Sequence, residues 1–161
     1  MYDWHGEEDA ARFVRTYADL ILRLCLSHGL DRADAQDICQ DLFLKLLTQR
    51  RSFRSAEHET AFVIRAAGNA CKNLLRAPHR SRAASLSEAL AAPAPENDGS
   101  EVLAAVRALP HRCRDAVALC CIEGYSADEA ARLLGISSAA VRKRLERARK
   151  LLKTDLKGAL I

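Results

Sequence analysis

The chain has 161 residues, 49% of them apolar, and a net charge of +4 at neutral pH, so it has room for one ordinary domain or two small ones. Aromatic residues make up only 5% of the sequence, which argues against ligand cages or base-stacking platforms built from several rings. The longest apolar run, 116–122, is far below the ~20 residues that a membrane-spanning helix needs, and nothing near the N-terminus resembles a secretory signal. We therefore expect a cytoplasmic protein without membrane insertion.

The first part of the chain has apolar residues at the spacing of α-helices. They recur at intervals of three or four, which places them on one face of each helix. Asp31 can cap the second of these helices. The predicted helices cover residues about 9–28, 32–49 and 59–76, with a polar loop over 50–58.

A segment of different composition follows. It is rich in Ala, Pro and Ser and holds three prolines, which is typical of an extended, flexible linker. Further helices are predicted over 101–108 and 112–123, and no stretch shows strand-like alternation. The predicted organisation is all-α, with a helical domain at 1–76, a flexible linker at 77–100 and a second helical domain at 101–161.

The last third of the chain has the form of a helix, a tight turn and a basic helix. Ser126 and Glu129 can form a capping box, Gly135 can take the left-handed conformation that ends the first helix, and Ser137 can cap the second. The second helix has an apolar stripe on one side and a cationic surface on the other, which suits a DNA major groove. Its candidate DNA contacts are Ser138, Arg142, Lys143, Glu146 and Arg147.

The polar face of the helix over 32–49 forms a compact acidic and amide patch. Asp37 and Asp41, like Gln36 and Gln40, stand four residues apart and therefore share a face. A solvated face is the simpler interpretation, and metal or acid–base chemistry lacks a second set of residues converging on the carboxylates. The better functional interpretation is a patch that binds a protein partner.

The helix over 59–76 carries basic and amide side chains opposite its apolar stripe. Such residues at helical spacing can hold phosphates and read base edges. The preceding loop, 50–58, adds cations and an aromatic ring that could hold an unstacked base. A basic solvent face is an equally good interpretation of the spacing alone. The candidate residues are Arg65, Asn69, Lys72, Asn73 and Arg76.

Six cysteines raise the question of a metal site or disulfides. They form no Cys-x-x-Cys pair, and the histidines have no spacing that would complete a zinc site. Cys25, Cys39, Cys71 and Cys120 lie on apolar stripes of predicted helices, where free cysteine behaves as a small hydrophobe. The sequence therefore predicts buried thiols and neither a metal nor a cofactor, with redox sensing as the weaker alternative.

The order of these features resembles a small sigma-70-family factor of the extracytoplasmic-function (ECF) type. The segment 34–47 is similar to the family's region 2.2, which implies that Asp37, Gln40 and Asp41 dock on the clamp coiled coil of the polymerase β′ subunit. The segment 62–76 resembles regions 2.3–2.4, which bind and open the minus-ten promoter element. Residues 109–150 resemble region 4, which reads the minus-thirty-five element.

The resemblance implies a sigma region 2-like three-helix domain and a region 4-like helix-turn-helix domain. It also implies a chain that is not an enzyme, with core RNA polymerase (β′ clamp and β subunits), promoter DNA and an anti-sigma factor as its candidate partners. Three positions depart from the family pattern, namely Phe62 for the usual Trp, Asn73 for a common acid, and the small pair Ala139-Ala140 at the start of the recognition helix. These departures leave the promoter sequence open.

Two other functions stay open at this point. An autonomous helix-turn-helix regulator would bind operator DNA tightly by itself, normally as a dimer on paired half-sites. A sigma-like adaptor would occupy polymerase without reading promoters. Dependence of DNA binding on core polymerase separates the sigma factor from the regulator, and promoter-specific transcription separates it from the adaptor.

Overall fold

The computed structural model describes residues 2–3, 6–49, 51–77 and 100–159, and the side chains of all but a few of these at the segment ends. Most of the predicted linker lies outside the described residues, so the boundaries of the two domains stay a prediction. The helices are α1 (Gly6–Ser27), α2 (Arg32–Gln49), α3 (Ala56–Arg76), α4 (Ser100–Ala108), α5 (His111–Val117), α6 (Ala127–Leu134) and α7 (Ser138–Ala159). α5 runs on into a π-helical turn at Ala118–Ile122, where sequence periodicity predicts one continuous helix.

One short pairing of strands was not predicted. Tyr2–Asp3 (β1) runs antiparallel to Ser52–Phe53 (β2), and two residues are too few to give a period-two pattern. The third helix also begins earlier than predicted, at Ala56 rather than at residue 59. The reason is a cap: the Ser55 hydroxyl oxygen accepts the backbone N–H of His58 at 3.1 Å, which satisfies one of the free donors at a helix start.

The helices before and after the linker pack against each other. A single continuous core contains Phe13, Ile21 and Leu46 from the first part together with Leu119 and Leu133 from the second. Burial of each such side chain contributes about 1.5–3 kcal/mol. The packing brings α3 against α6, so the two parts of the chain, hereafter the first and second halves, meet along the face of α3.

The cysteines follow the predicted packing in part. Cys25 and Cys71 are buried, Cys39 and Cys120 are half-buried, and Cys121 is exposed. The Cys71 thiol lies 3.6 Å from the Cys25 sulfur. This hydrogen bond and burial raise the pKa of Cys25, which keeps the thiol protonated and unreactive.

None of the described helices could cross a bilayer, because each is too short or too polar.

Candidate nucleic-acid and partner interfaces

The three residues predicted to dock on polymerase lie together on the outer face of α2. Asp37, Gln40 and Asp41 are all exposed, because the opposite face of the helix is the one that enters the core. Leu44 follows on the same face, one turn beyond Gln40 and Asp41, and is 55% exposed. The α2 patch therefore combines two carboxylates and an amide with an apolar side chain, and sequence reasoning missed only the apolar member.

The predicted minus-ten residues on α3 are distributed over more than one groove. Arg65, Asn69 and Asn73 line a groove of about 610 Å³ between α2 and α3. Lys72 is instead half-buried and, with Arg76, lines a separate groove beside α5. The structure therefore brings Arg65, Asn69 and Asn73 together on the α2 side of α3. Arg65 and Asn69 also share a groove of about 240 Å³ with Lys72 that faces the second half.

The groove between α2 and α3, which we call the α2–α3 groove, has aromatic and cationic side chains in its wall. The Arg51 guanidinium stands 4.4 Å from the centroid of the Phe62 ring, and the buried Phe53 supports Phe62 from behind with 5.6 Å between ring centroids. Phe53 also contacts His58 edge-on, with 5.5 Å between ring centroids. A planar ring and a guanidinium beside amide side chains offer both stacking and hydrogen bonding to one unpaired base. The polar and aromatic lining is Asp41, Lys45, Arg51, His58, Phe62, Arg65, Asn69 and Asn73.

The helix-turn-helix forms by the caps that the sequence predicts. The Ser126 N–H donates to the Glu129 carboxylate at 2.8 Å, and the Glu129 N–H donates to the Ser126 hydroxyl at 3.1 Å. The hydrogen bond from the Ser126 backbone lowers the pKa of Glu129. Gly135 takes the left-handed conformation with φ of 69°, and the Ser137 hydroxyl accepts the Ala140 N–H at 3.1 Å. The predictions for these residues are confirmed.

On α7, burial divides the helix into a packed side and a cationic side. Val141 and Ala148 are buried, so α7 is fixed along one stripe. Four of the five predicted DNA contacts are exposed and Ser138 is half-buried. Two of the exposed residues already have partners, since Arg142 meets Asp128 at 3.3 Å and Glu146 meets Lys150 at 3.0 Å. The exposed predicted contacts are Arg142, Lys143, Glu146 and Arg147.

Arg65 is occupied by the second half of the chain. Its Nε donates to the carbonyl oxygen of Leu133 at 2.9 Å, and an Nη atom stands 3.5 Å from the Arg132 carbonyl. These carbonyls belong to the last turn of α6, where the Arg132 carbonyl also accepts the Gly135 N–H at 3.3 Å; the guanidinium adds donors at this helix end and so caps the C-terminus of α6. A predicted minus-ten contact therefore also holds the two halves together.

Further polar contacts join the halves around this point. Arg132 and Glu57 form an exposed ion pair at 2.7 Å, and Arg23 forms a two-point pair with Glu123. These contacts join residues far apart in sequence, and sequence spacing gives no signal for them.

Two family models match successive parts of the chain. Residues 13–81 match the model for Sigma-70 region 2, and residues 100–152 match the model for Sigma-70, region 4. The first match contains the α2 patch and α3, and the second contains the helix-turn-helix. The chain belongs to the sigma-70 family.

Curated relatives associate the chain with the ECF group of that family. The chain is 29% identical over 171 residues to the ECF RNA polymerase sigma factor SigE of Mycolicibacterium smegmatis, which covers 97% of this chain and 66% of SigE. It is 31% identical over 159 residues to the probable RNA polymerase sigma factor RfaY of Xanthomonas campestris pv. campestris, which covers 90% of this chain and 40% of RfaY. The chain thus spans about two thirds and two fifths of the lengths of these relatives.

Solved structures of similar shape support the fold. CnrH in complex with the cytosolic domain of CnrY superposes with a TM-score of 0.70 at 25% identity, covering 95% of this chain and 90% of CnrH. The sigma factor RpoE in complex with the anti-sigma factor NepR from Bartonella quintana superposes with a TM-score of 0.69 at 21% identity, covering 94% of this chain and 98% of RpoE. The predicted all-α fold is confirmed.

Proposed function

We propose that this chain is an ECF-type sigma factor that binds core RNA polymerase and directs promoter-specific transcription initiation. The observation that carries the proposal is that the α2 patch and the cationic side of α7 are both exposed on a chain that matches sigma regions 2 and 4 in order. The chain acts in the cytoplasm, needs no cofactor and is not an enzyme, because RNA synthesis belongs to the polymerase.

In this role the α2 patch docks on the β′ clamp. Asp37 and Asp41 supply negative charge one turn apart, Gln40 supplies hydrogen bonds, and Leu44 supplies apolar contact area. Opposite charges across such an interface accelerate association and fix its register. The β subunit is the expected further contact of the complex.

The cationic side of α7 reads the minus-thirty-five element in the major groove. Arg142, Lys143 and Arg147 contact phosphates or guanines, and Glu146 can accept from a cytosine amine. The ion pairs with Asp128 and Lys150 are exposed and therefore weak. DNA can replace them at small cost.

The α2–α3 groove receives a base from the opened minus-ten element. Unstacking a base costs a few kcal/mol, and stacking on an aromatic side chain returns about 1–3 kcal/mol. The Arg51 guanidinium already lies over the Phe62 ring, so a captured base stacks on this guanidinium or takes its place on the ring. Asn69 and Asn73 lie within the same groove and can hydrogen-bond to base edges.

The packing of α3 against α6 opens when core polymerase and promoter DNA bind. Arg65 cannot contact DNA while it caps α6, so the minus-ten function requires that this contact break. An anti-sigma factor that stabilises the closed packing is a candidate partner, and the similar RpoE structure is a complex with the anti-sigma factor NepR.

The test is transcription from a randomised promoter library by cognate core polymerase, with and without the protein, followed by sequencing of the transcripts. Protein-dependent starts that share two spaced elements support the proposal. Core binding without starts favours the adaptor, and tight duplex binding without core favours the autonomous regulator.

Two matched variants test whether core polymerase binds through the α2 patch. The double variant Asp37→Asn, Asp41→Asn should lose core binding and transcription together, because the patch loses both charges. Asp19→Asn removes a carboxylate that is also exposed, on α1, and should leave core binding unchanged. Equal losses in the two variants would contradict docking through α2.

A further inference from the structure

A cluster of two histidines and one aspartate lies where the two halves meet. His28 comes from the turn after α1, and His111 and Asp115 come from α5. One ligand atom from each residue lies within 4.8 Å of the other two. His28 Nε2 is 2.9 Å from one Asp115 carboxylate oxygen, and His111 Nε2 is 4.0 Å from the other. Sequence spacing did not predict this cluster, because His28 and Asp115 are 87 residues apart.

The three side chains are held in place by their surroundings. The His28 side chain is fully buried, its ring contacts that of His111 at 4.4 Å between centroids with the planes tilted by 40°, and its carbonyl oxygen accepts from Arg114 at 2.9 Å. His111 and Asp115 are four residues apart on one helix, the spacing that places two ligands on the same face. The donors are therefore positioned before any ligand arrives.

Two ring nitrogens in the cluster have unused hydrogen-bonding capacity. His28 Nδ1 and His111 Nε2 are buried and have no hydrogen-bond partner. Buried polar atoms without partners are rare in folded proteins and call for a physical account. For His111, a metal ion between its Nε2 and the Asp115 carboxylate would supply the missing partner.

We propose that His28, His111 and Asp115 bind a divalent transition-metal ion, with Zn²⁺ as the probe, and that the ion bridges the two halves of the chain. Two imidazoles and a carboxylate are a donor set that zinc accepts with three protein ligands, leaving the fourth position to water. The ion replaces the hydrogen bond between His28 Nε2 and Asp115, and the His28 proton moves to Nδ1.

The geometry requires shifts in both directions, because the 2.9 Å separation between His28 and Asp115 must widen and the 4.0 Å separation between His111 and Asp115 must close. Bond lengths of about 2.0–2.2 Å to nitrogen and oxygen in a tetrahedral site set the ligand atoms roughly 3.4 Å apart. The present separations, between 2.9 Å and 4.8 Å, bracket that value. An ion can enter by the groove beside α5, of about 370 Å³, which His111 lines. This groove also carries four cationic side chains, Lys72, Arg76, Arg112 and Arg114, and the Asp115 carboxylate offsets part of their positive charge.

The decisive experiment is calorimetric titration of the full-length reduced protein with Zn²⁺, in the absence of polymerase and DNA. We expect one ion per chain, and at least a ~10-fold weaker affinity in His28→Gln, His111→Gln and Asp115→Asn, since even outer-shell changes at metal sites cost about 10–100-fold. Asp115→Asn keeps the side-chain size and an acceptor for His28, so it tests ligation without disturbing the packing.

The matched control is Cys121→Ser, which removes the exposed thiol that could bind zinc independently of the cluster. It should retain the full affinity. Zinc should also raise the thermal midpoint of the wild-type and Cys121→Ser proteins, because the ion binds the folded form, and should leave that of Asp115→Asn unchanged. Loss of binding in Cys121→Ser, or unchanged binding in all three cluster variants, would overturn the proposal.

Discussion

Replacing Glu59, a buried charged residue, should destabilise the protein substantially. Glu59 is 1% exposed, receives two hydrogen bonds from the Arg12 guanidinium at 2.8 Å and 3.1 Å, and a third from the Tyr17 hydroxyl at 2.7 Å. Glu59→Ala removes these three hydrogen bonds, while Tyr17 keeps the Thr60 hydroxyl at 3.2 Å and Arg12 keeps the Asp9 carboxylate at 3.7 Å. Breaking a buried pair from one side costs about 3–5 kcal/mol, and because the Arg12 side chain is 28% exposed, we expect about 3 kcal/mol.

That loss is measurable by urea denaturation followed by far-ultraviolet circular dichroism. In a chain of this length, about 3 kcal/mol corresponds to a fall of roughly 6–12 °C in the thermal midpoint. Glu59→Gln keeps an acceptor for Tyr17 and should lose less. Glu57→Ala, which breaks only the exposed pair with Arg132, should lose much less. Equal losses for Glu59→Ala and Glu57→Ala would refute the reasoning.

Three further predictions concern the groove, the turn and the recognition helix. Phe62→Ala should reduce promoter opening, detected with permanganate, by roughly 5–150-fold, the equivalent of about 1–3 kcal/mol of stacking. Phe62→Trp should retain promoter opening. Normal opening with Phe62→Ala would show that a base does not stack on this ring. Gly135→Ala should lower the free energy of unfolding by about 1–2 kcal/mol, because the backbone φ of Gly135 is 69° and the new Cβ would lie 3.4 Å from the Arg65 guanidinium carbon. An unchanged midpoint of urea denaturation would contradict this prediction. Arg142→Ala should weaken binding of the holoenzyme to the promoter and reduce the slope of log affinity against log salt concentration by about 1. The thermal midpoint of the protein should not change. An unchanged slope would exclude a contact between Arg142 and a phosphate.

The sequence predicted the features that form within one or two helical turns. The capping box of Ser126 and Glu129, the left-handed Gly135 and the Ser137 cap each join residues at most three apart, so their geometry follows from local chemistry. The exposed face of α2 was predictable for a related reason, since removal of an apolar stripe at helical spacing leaves the polar face.

Contacts between distant segments could not be predicted in this way. The β1–β2 pairing, the Arg65 cap on α6 and the cluster of His28 with α5 all join residues separated by tens of positions. A single sequence carries no spacing signal for such contacts, and Arg65 gives an example of the consequence. Its helical spacing indicated a nucleic-acid contact, while the fold gives the same guanidinium a structural partner.

The proposed function requires the two halves of the chain to separate, and this separation costs free energy. Its exposed polar contacts, such as that between Arg132 and Glu57, are weak and exchange easily. Its apolar part is different: Leu133 and Ile64 are both 3% exposed within the shared core, and full exposure of such a side chain costs about 1.5–3 kcal/mol. Separation of α3 from α6 therefore needs a partner that covers this surface or compensates for its exposure. DNA alone offers phosphates and base edges, which suit Arg65 but not the apolar residues. We accordingly expect the free chain to bind promoter DNA poorly and to need core polymerase for tight promoter binding. This expectation follows from the packing, independently of the family to which the chain belongs.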